Sequence, residues 1–340
     1  MKRIVGHIYE EIISIENLIA AWEEFIKDKK RRADVCFFAQ TLLFNILSLH
    51  QDLSNFRYKH ASYEEFRISD PKPRIIHKAT VRDRLLHHAV YRVLYPLFDQ
   101  TFIFDSYSCR KTKGTHKAFK RLVSLTRKES QNYTAICWAL KCDIKKFFHS
   151  IDHKVLINLL KSRIDDKALI DLLEEIIKSF RVKPGKGMPL GNLTSQLFAN
   201  VYLDPFDKFV KHRLKVKHYI RYADDFLLSS QNPSELMGYF IEINNFLKIK
   251  LKLSLHPDKI ILRKLSWGID FVGYVALPHY SLPRKATVKR IFKSLAQKIV
   301  DEPGTTNASL QSYLGYLNHV DAYKLSCKLK DIITTRGDIK

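Results

Sequence analysis

The chain reads as a mixed α+β fold in which helical N- and C-terminal parts flank a small sheet. Three observations predict it. Strand-like runs such as YTAICWALKCD and YIRYADDFLLSS are separated by amphipathic helices in an irregular order, not a strict alternation. The order runs strand, helices, helix, hairpin, helix, strands. Apolar residues make up 46% and aromatics 12% of 340 residues, enough for a sizeable core and two or three subdomains.

Each element follows from its own stretch. Residues 7–56 read as helical: ENLIAAWEEFIKDKKRR places Leu18, Ala21, Trp22, Phe25 and Ile26 at helical spacing, and FFAQTLLFNILSLHQDL is a second, mostly buried helix. FRISDPKPRIIHKA predicts two short strands around a Pro-punctuated turn. VRDRLLHHAVYRVLYPLFD predicts a helix up to Pro96, and the basic stretch CRKTKGTHKAFKRL a loop running into another helix. YTAICWALKCDIKKFF reads as a strand with Trp138, Leu140 and Cys142 on one face and Ala139, Lys141 and Asp143 on the other. HKVLINLLKSRI and KALIDLLEEIIKSF are amphipathic helices. VKPGKGMPLGN is a Gly/Pro-rich loop before the long helix LTSQLFANVYLDPFDKFVKHRL. PSELMGYFIEINNFLKIKL is helical, and LSLHPDKIILRKL and GIDFVGYVAL are strand-like. From about Ser281 the chain is basic and helical, with a turn at EPGTTN.

Charge narrows the function. Lys and Arg number 58 against 35 Asp and Glu, a net +23, which points to a polyanionic partner and most simply to nucleic acid. Five cysteines (Cys36, Cys109, Cys137, Cys142, Cys327) form no CxxC pair, so neither a zinc site nor a disulfide framework is expected. The start MKRIVGHIYEE lacks an apolar core of a leader, and no run reaches membrane-spanning length. A cytoplasmic protein with no membrane partner is the expectation.

Against that background the pair Asp224–Asp225, set between two apolar runs, needs a reason. Adjacent like charges repel, and Asp disfavours a strand. A solvated turn would tolerate them. A metal clamp would require them: two Mg²⁺ ions roughly 3.5–4 Å apart can activate a 3′-hydroxyl, neutralise a phosphoryl group and stabilise a leaving pyrophosphate. Mg²⁺ takes oxygen ligands and keeps several waters, so a few carboxylates suffice.

Five stretches in order resemble the motifs of bacterial reverse transcriptases related to group II intron enzymes: KCDIKKFFHSID, GMPLGNLTSQLFANVYL, RYADDFLL, LSLHPDK and DFVGY. The resemblance spans about residues 60–280. It implies a right-hand polymerase fold with an antiparallel palm sheet. Residues 1–135 would form N-terminal helices and fingers. Residues 136–279 would form the palm, with a helical insertion about 153–190, and residues 280–340 the thumb. Asp143 and Asp224 would bind two Mg²⁺ ions, helped by the carbonyl of Ile144, with Asp225 a weaker ligand. Phe148 would lie under the incoming sugar and exclude a 2′-hydroxyl, favouring dNTPs by steric rejection. Lys72 and Arg74 would hold the triphosphate, Arg by its bidentate fork. Arg110 would support the template or nucleotide, Lys259 would protonate the pyrophosphate, and the thumb would grip the template–product duplex by its backbone.

One departure sharpens the expectation. Where the group II pattern reads Gln-Gly-x-x-x-Ser-Pro, this chain has Leu190, Gly191 and, after Ser195, Gln196. An apolar pocket wall constrains base and sugar less than a hydrogen bond does. The variant resembles enzymes of diversity-generating retroelements, which copy a template-repeat RNA into cDNA with errors at adenines for mutagenic retrohoming. It also implies a small basic oligomeric accessory variability protein and a structured retroelement RNA. The alternatives are a faithful or defence-associated enzyme of the same fold and a non-catalytic RNA-binding scaffold. A viral-type RNA-dependent RNA polymerase shares the metal clamp, but an aromatic at Phe148 argues against ribonucleotides.

Overall fold

A computed structural model describes residues 4–5, 7–69, 73–301 and 303–337. The N-terminal elements are β1 (Ile4–Val5), α1 (Ile8–Ile13), α2 (Ile15–Phe25), α3 (Ala33–Gln40), α4 (Leu42–Ser54), β2 (Glu64–Ile68), β3 (Arg74–Lys78) and α5 (Val81–Asp99). Then come α6 (Thr115–Glu129), β4 (Trp138–Asp143), α7 (Phe147–Ser150), α8 (His153–Lys161), β5 (Ile164–Asp165), α9 (Lys167–Lys178) and α10 (Leu193–Lys208), which ends in a π-helical turn, Phe209–Arg213. The rest is β6 (His218–Tyr222), β7 (Asp225–Ser230), α11 (Pro233–Leu251), β8 (Ile261–Lys264), β9 (Ile269–Phe271), β10 (Tyr274–Ala276), β11 (Ser281–Pro283), α12 (Lys285–Asp301), α13 (Pro303–Leu317) and α14 (Tyr323–Gly337). The chain packs as two compact units. One comprises Met1–Phe104, Ile144–Lys215 and Glu242–His256; the other comprises Asp105–Asp143, Val216–Ile241 and Pro257–Lys340.

The first unit is mainly helical. The helical spacing of α2 buries Leu18, Ala21, Trp22 and Phe25, and α2 packs on α5, whose Leu85, Leu86, Ala89 and Val90 are fully buried. Thr80 caps α5: its hydroxyl accepts from the Asp83 N–H at 3.2 Å and donates to the Asp83 carboxylate at 2.6 Å. Asp152 and Asp166 cap α8 and α9 in the same way, accepting from Val155 and Leu169. β2 and β3 are the two short strands expected and pair antiparallel, with Ile68 opposite Arg74; residues 70–72 of the expected turn lie outside the described residues. The structure corrects the end of α5. The helix continues through Pro96 to Asp99, because Tyr95 and Phe98 are buried and that packing outweighs the hydrogen bond proline cannot make.

The second unit is built on a four-stranded antiparallel sheet in the order β6-β7-β4-β8. One core joins Phe119, Leu122 and Leu125 of α6 to Ala139, Ile220 and Leu227 of the sheet and to Phe271 and Tyr274 of the β9–β10 hairpin. A second core, from Ile291, Leu295, Leu310, Leu317 and Leu329, unites α12, α13 and α14. Several sequence boundaries move. LSLHPDK is not a strand: Pro257–Lys259 form a 3-10 turn, and the strand begins at Ile261. GIDFVGYVAL is two strands joined by a turn, and Ser281–Pro283 adds a third before the helices start. The six-residue turn expected at EPGTTN is not kept: α12 runs to Asp301 and α13 begins at Pro303, since proline suits the first turn of a helix; Glu302 lies outside the described residues.

Candidate active site

Asp143 is the last residue of β4 and Asp225 the first of β7, and the two are register partners across the antiparallel ladder. Asp225 also pairs with Tyr222, which closes a two-residue turn of Ala223 and Asp224. Ala223 takes a left-handed φ of +54°, a strain that a tight turn imposes and that places Asp224 at the tip. Asp143, Asp224 and Asp225 therefore all stand at one end of the sheet. Arg221 braces the turn from beneath. It is fully buried, and its guanidinium donates to the Ala223 carbonyl at 3.0 Å. Its backbone carbonyl and N–H pair with Tyr107 and Asp105 at 3.0 and 2.9 Å, so the stretch leading to Arg110 runs beside β6.

Carboxylates facing each other across a ladder are destabilising unless cations or donors offset them. Lys259 donates to Asp143 Oδ1 at 2.9 Å. Lys141 lies 3.2 Å from Asp225 Oδ2 and donates to the Asp270 carbonyl at 2.9 Å, tying β4 to both β7 and β9. Burial pushes the Asp225 carboxyl up to about 6; Asp143 and Asp224 push the same way, and Lys141 opposes them. Asp225 Oδ1 is buried with no hydrogen-bond partner. Such an acceptor is costly, and a cation is the natural way to satisfy it. Among the described residues no three His, Cys, Asp or Glu side chains form a ready-made metal cage. What the site offers is acceptor-only carboxylate oxygen, one atom of it unsatisfied, which fits hard divalent cations that retain water.

The first unit holds the residues expected to contact a nucleotide. Phe148 meets Phe147 edge-on at 5.4 Å, and its carbonyl accepts from the Met188 N–H at 2.8 Å. The loop that follows is stitched to β3: the Leu190 carbonyl accepts from the His77 N–H at 3.0 Å, and Asn192 donates back to the His77 carbonyl at 3.1 Å. Gly191 sits between them at φ +109°, where a Cβ would lie 2.7 Å from Ile76 Cγ2. Gln196 lies half-buried in the first turns of α10, and Arg74 opens β3, exposed.

Asp143, Asp224, Asp225, Lys259 and Arg110 thus belong to the second unit, and Arg74, Phe148, Leu190, Gly191 and Gln196 to the first. Arg110 is half-buried and donates to the Ser106 carbonyl and hydroxyl at 3.1 and 3.0 Å. Ile144 belongs to the first unit, is fully buried and bridges to Leu255 of the same unit. Lys72 lies outside the described residues. Two residues escaped the sequence reading. Lys141 shares a strand face with Asp143 two positions on, and a lysine on a packed face signals a carboxylate partner. Arg221 is a fully buried cation in β6, a signal of a buried acceptor, which the Ala223 carbonyl supplies.

Residues 68–276 match the family described as Reverse transcriptase (RNA-dependent DNA polymerase). Relatives include the group II intron-encoded protein LtrA of Lactococcus lactis, 25% identical over 62% of this chain and 45% of LtrA. Protein YkfC of Escherichia coli is 25% identical over 61% of this chain and 64% of its own length. The putative COX1/OXI3 intron 2 protein of Saccharomyces cerevisiae is 22% identical over 57% of this chain and 29% of that protein. The chain therefore spans between 29% and 64% of the length of these relatives. A solved apo telomerase from Candida tropicalis, truncated from its C-terminal domain, aligns with a TM-score of 0.49 at 12% identity over 71% of this chain and 60% of that one, a likeness too slight to add to the family match. The chain belongs to the reverse transcriptase (RNA-dependent DNA polymerase) family, whose right-hand polymerase fold accommodates the antiparallel sheet and flanking helices described above. Among the described residues no single helix is long and apolar enough to cross a membrane.

Proposed function

We propose that the chain is an RNA-directed DNA polymerase that copies template RNA into cDNA from dNTPs. The observation that carries the reading is the cross-strand pair Asp143–Asp225, with its unsatisfied buried oxygen, inside residues 68–276, which match the family. Asp143, Asp224 and Asp225, with the Ile144 carbonyl, would hold two Mg²⁺ ions. Held there, such ions would supply the charge that activates a 3′-hydroxyl and offsets that of a leaving pyrophosphate. Lys141 holds Asp225 in line and keeps its carboxyl from rising further. Lys259, held at Asp143, supplies a proton to the departing pyrophosphate through its Nζ. Phe148 bars a 2′-hydroxyl, Lys72 and Arg74 grip the triphosphate, and Arg110 supports the template. Leu190, Gly191 and Gln196 line the nucleotide pocket. Fingers, palm and thumb fall at 1–135, 136–279 and 280–340, a division by role that differs from the two packing units.

Within this activity we place the enzyme with the diversity-generating retroelements. The support is the apolar Leu190, whose main chain is anchored on His77 while its side chain offers the base no hydrogen bond. A small basic accessory protein and a structured RNA are the expected partners. The test is primer extension on an RNA template with Mg²⁺ and four dNTPs, followed by sequencing of the product. Extension with errors concentrated at template adenines is expected, and Asp224→Ala abolishes it. Full extension by Asp224→Ala overturns the site. Accurate product that Leu190→Gln leaves unchanged overturns the retroelement assignment and leaves a faithful enzyme. No extension, even with the accessory protein and cognate RNA added, points to the scaffold.

A further inference from the structure

Helix α6 carries a charge the catalytic site does not use. Between Asp105 and Asp143 the chain has nine Lys or Arg residues and one acid, Glu129. Both flanking acids are engaged with inward cations or amides. Asp105 takes the Arg121 guanidinium through two bonds of 2.7 and 3.1 Å, and Glu129 takes His218 at 3.0 Å and the Gln231 N–H at 2.9 Å. The core face of α6 is Ala118, Phe119, Leu122, Leu125 and Thr126. On the opposite face Lys117, Lys120, Arg127 and Lys128 follow one another at helical spacing, all exposed and none in an ion pair among the described residues. From first to last they cover roughly 16 Å of helix.

The far end of this stripe is shaped. Gln131, Asn132 and Tyr133 follow with φ of +50°, +61° and +70°, a left-handed run that folds the chain back onto the helix terminus. Asn132 thereby accepts from Arg127 Nε at 2.7 Å, which fixes one edge of the guanidinium. Ser124, Arg127, Lys128 and Asn132 line a shallow concavity of about 390 Å³. No large apolar or aromatic side chain of α6 is exposed. That lack disfavours a protein partner, which would seek apolar anchors, and a single strand, which would seek rings to stack on. A row of unneutralised cations with one preorganised guanidinium suits a regular phosphate backbone.

We propose that the α6 stripe, Lys117, Lys120, Arg127 and Lys128, is a docking surface for the phosphate backbone of double-stranded RNA, separate from the track that holds the template–product duplex. It receives a folded part of the RNA that is not being copied. The assignment does not require that the carboxylates polymerise, and its test reads the two apart. The full chain is first saturated with primer–template, and a fluorescein-labelled hairpin RNA of about 16 base pairs is then titrated in by anisotropy at several salt concentrations. The variant Lys117→Gln/Lys120→Gln/Arg127→Gln/Lys128→Gln is compared with a charge-matched control, Lys27→Gln/Lys30→Gln/Lys248→Gln/Lys250→Gln. The stripe variant is expected to lose at least tenfold in hairpin affinity and to flatten the log–log salt slope by up to about 3.6, near 0.9 for each of four phosphates that is no longer neutralised. Its primer–template KM and extension rate stay at wild-type values, and the control keeps hairpin affinity. Equal loss in stripe variant and control overturns the proposal, as does unchanged hairpin binding by the stripe variant. A raised primer–template KM overturns it too, since the stripe would then belong to the copying track.

Discussion

Asp143 and Asp225 face each other as register partners of β4 and β7, and Lys141, two residues before Asp143, is the cation between that pair and β9. Lys141 is the group that opposes the rise of the Asp225 carboxyl. Removing it leaves burial and the two neighbouring carboxylates unopposed, so the carboxyl titrates at still higher pH. Lys141→Met is therefore expected to move the acidic limb of the extension pH profile upward and to cost roughly tenfold in rate at pH 7, with recovery at higher pH. Lys141→Arg keeps the charge and restores most of the rate. A profile that falls uniformly, without moving, would mean that Lys141 acts on packing alone.

Phe148 is half-buried, fixed by Phe147 on one side and by the Met188 N–H on its carbonyl. Its ring is therefore a rigid steric element. Phe148→Ala is expected to lower the preference for dNTPs over NTPs by at least about tenfold, mainly by admitting ribonucleotides. The measurement is the ratio of kcat/KM for the two substrates on one template. An unaltered ratio removes Phe148 from the sugar gate.

Gly191 has both a left-handed backbone and no room for a methyl group beside Ile76. Gly191→Ala should destabilise the protein by about 1–3 kcal/mol and loosen the loop from β3. Adding Ile76→Ala relieves the clash but not the backbone strain, so the double variant recovers part of the loss. Urea unfolding of the four proteins of this cycle separates the two causes. Complete recovery would leave no part for the backbone.

His87 is fully buried, stacks on His60 at 5.3 Å and has no hydrogen-bond partner on either ring nitrogen. Burial holds its pKa down to about 3, with the neighbouring His60, His88 and Arg84 adding to the effect. The folded value lies below the unfolded one near 6.5, so the unfolded state binds the proton first. Stability is intact above about pH 6.5 and is lost as pH falls toward 3, by about 1.4 kcal/mol per unit. His87→Leu should match or exceed wild type at pH 7.5 and exceed it by a further 2 kcal/mol or so at pH 5. Parallel pH dependences for the two proteins would show that His87 is not the group that charges on unfolding.

The sequence was most legible where chemistry repeats a pattern. The helix faces of α2, α8 and α9, the strand ending at Asp143 and the hairpin at Asp224–Asp225 could be read directly, because apolar periodicity and a forced pair of charges leave few alternatives. Pro96 misled because burial of Phe98 sets the end of α5, and no local signal reports burial. LSLHPDK misled because its alternation resembles a strand, whereas the chain turns to bring Lys259 onto Asp143. Lys141 and Arg221 were visible as cations in strands, but their partners lie 84 and 2 residues away, and only the sheet register makes the first of these a neighbour. The excess charge on α6 was visible as a basic run; that it lies along one exposed face, with both flanking acids already engaged, needed the fold.

Lys141 reaches β9 through the carbonyl of Asp270, not through its side chain. Any residue can supply a carbonyl, so this link between β4 and the β9–β10 hairpin leaves no trace in which amino acid occupies position 270. Covariation between positions 141 and 270 would miss it. Chimeras that exchange the hairpin with a relative's would keep it provided the strand length is conserved, whereas a single inserted residue, chemically innocuous by any substitution table, would break it.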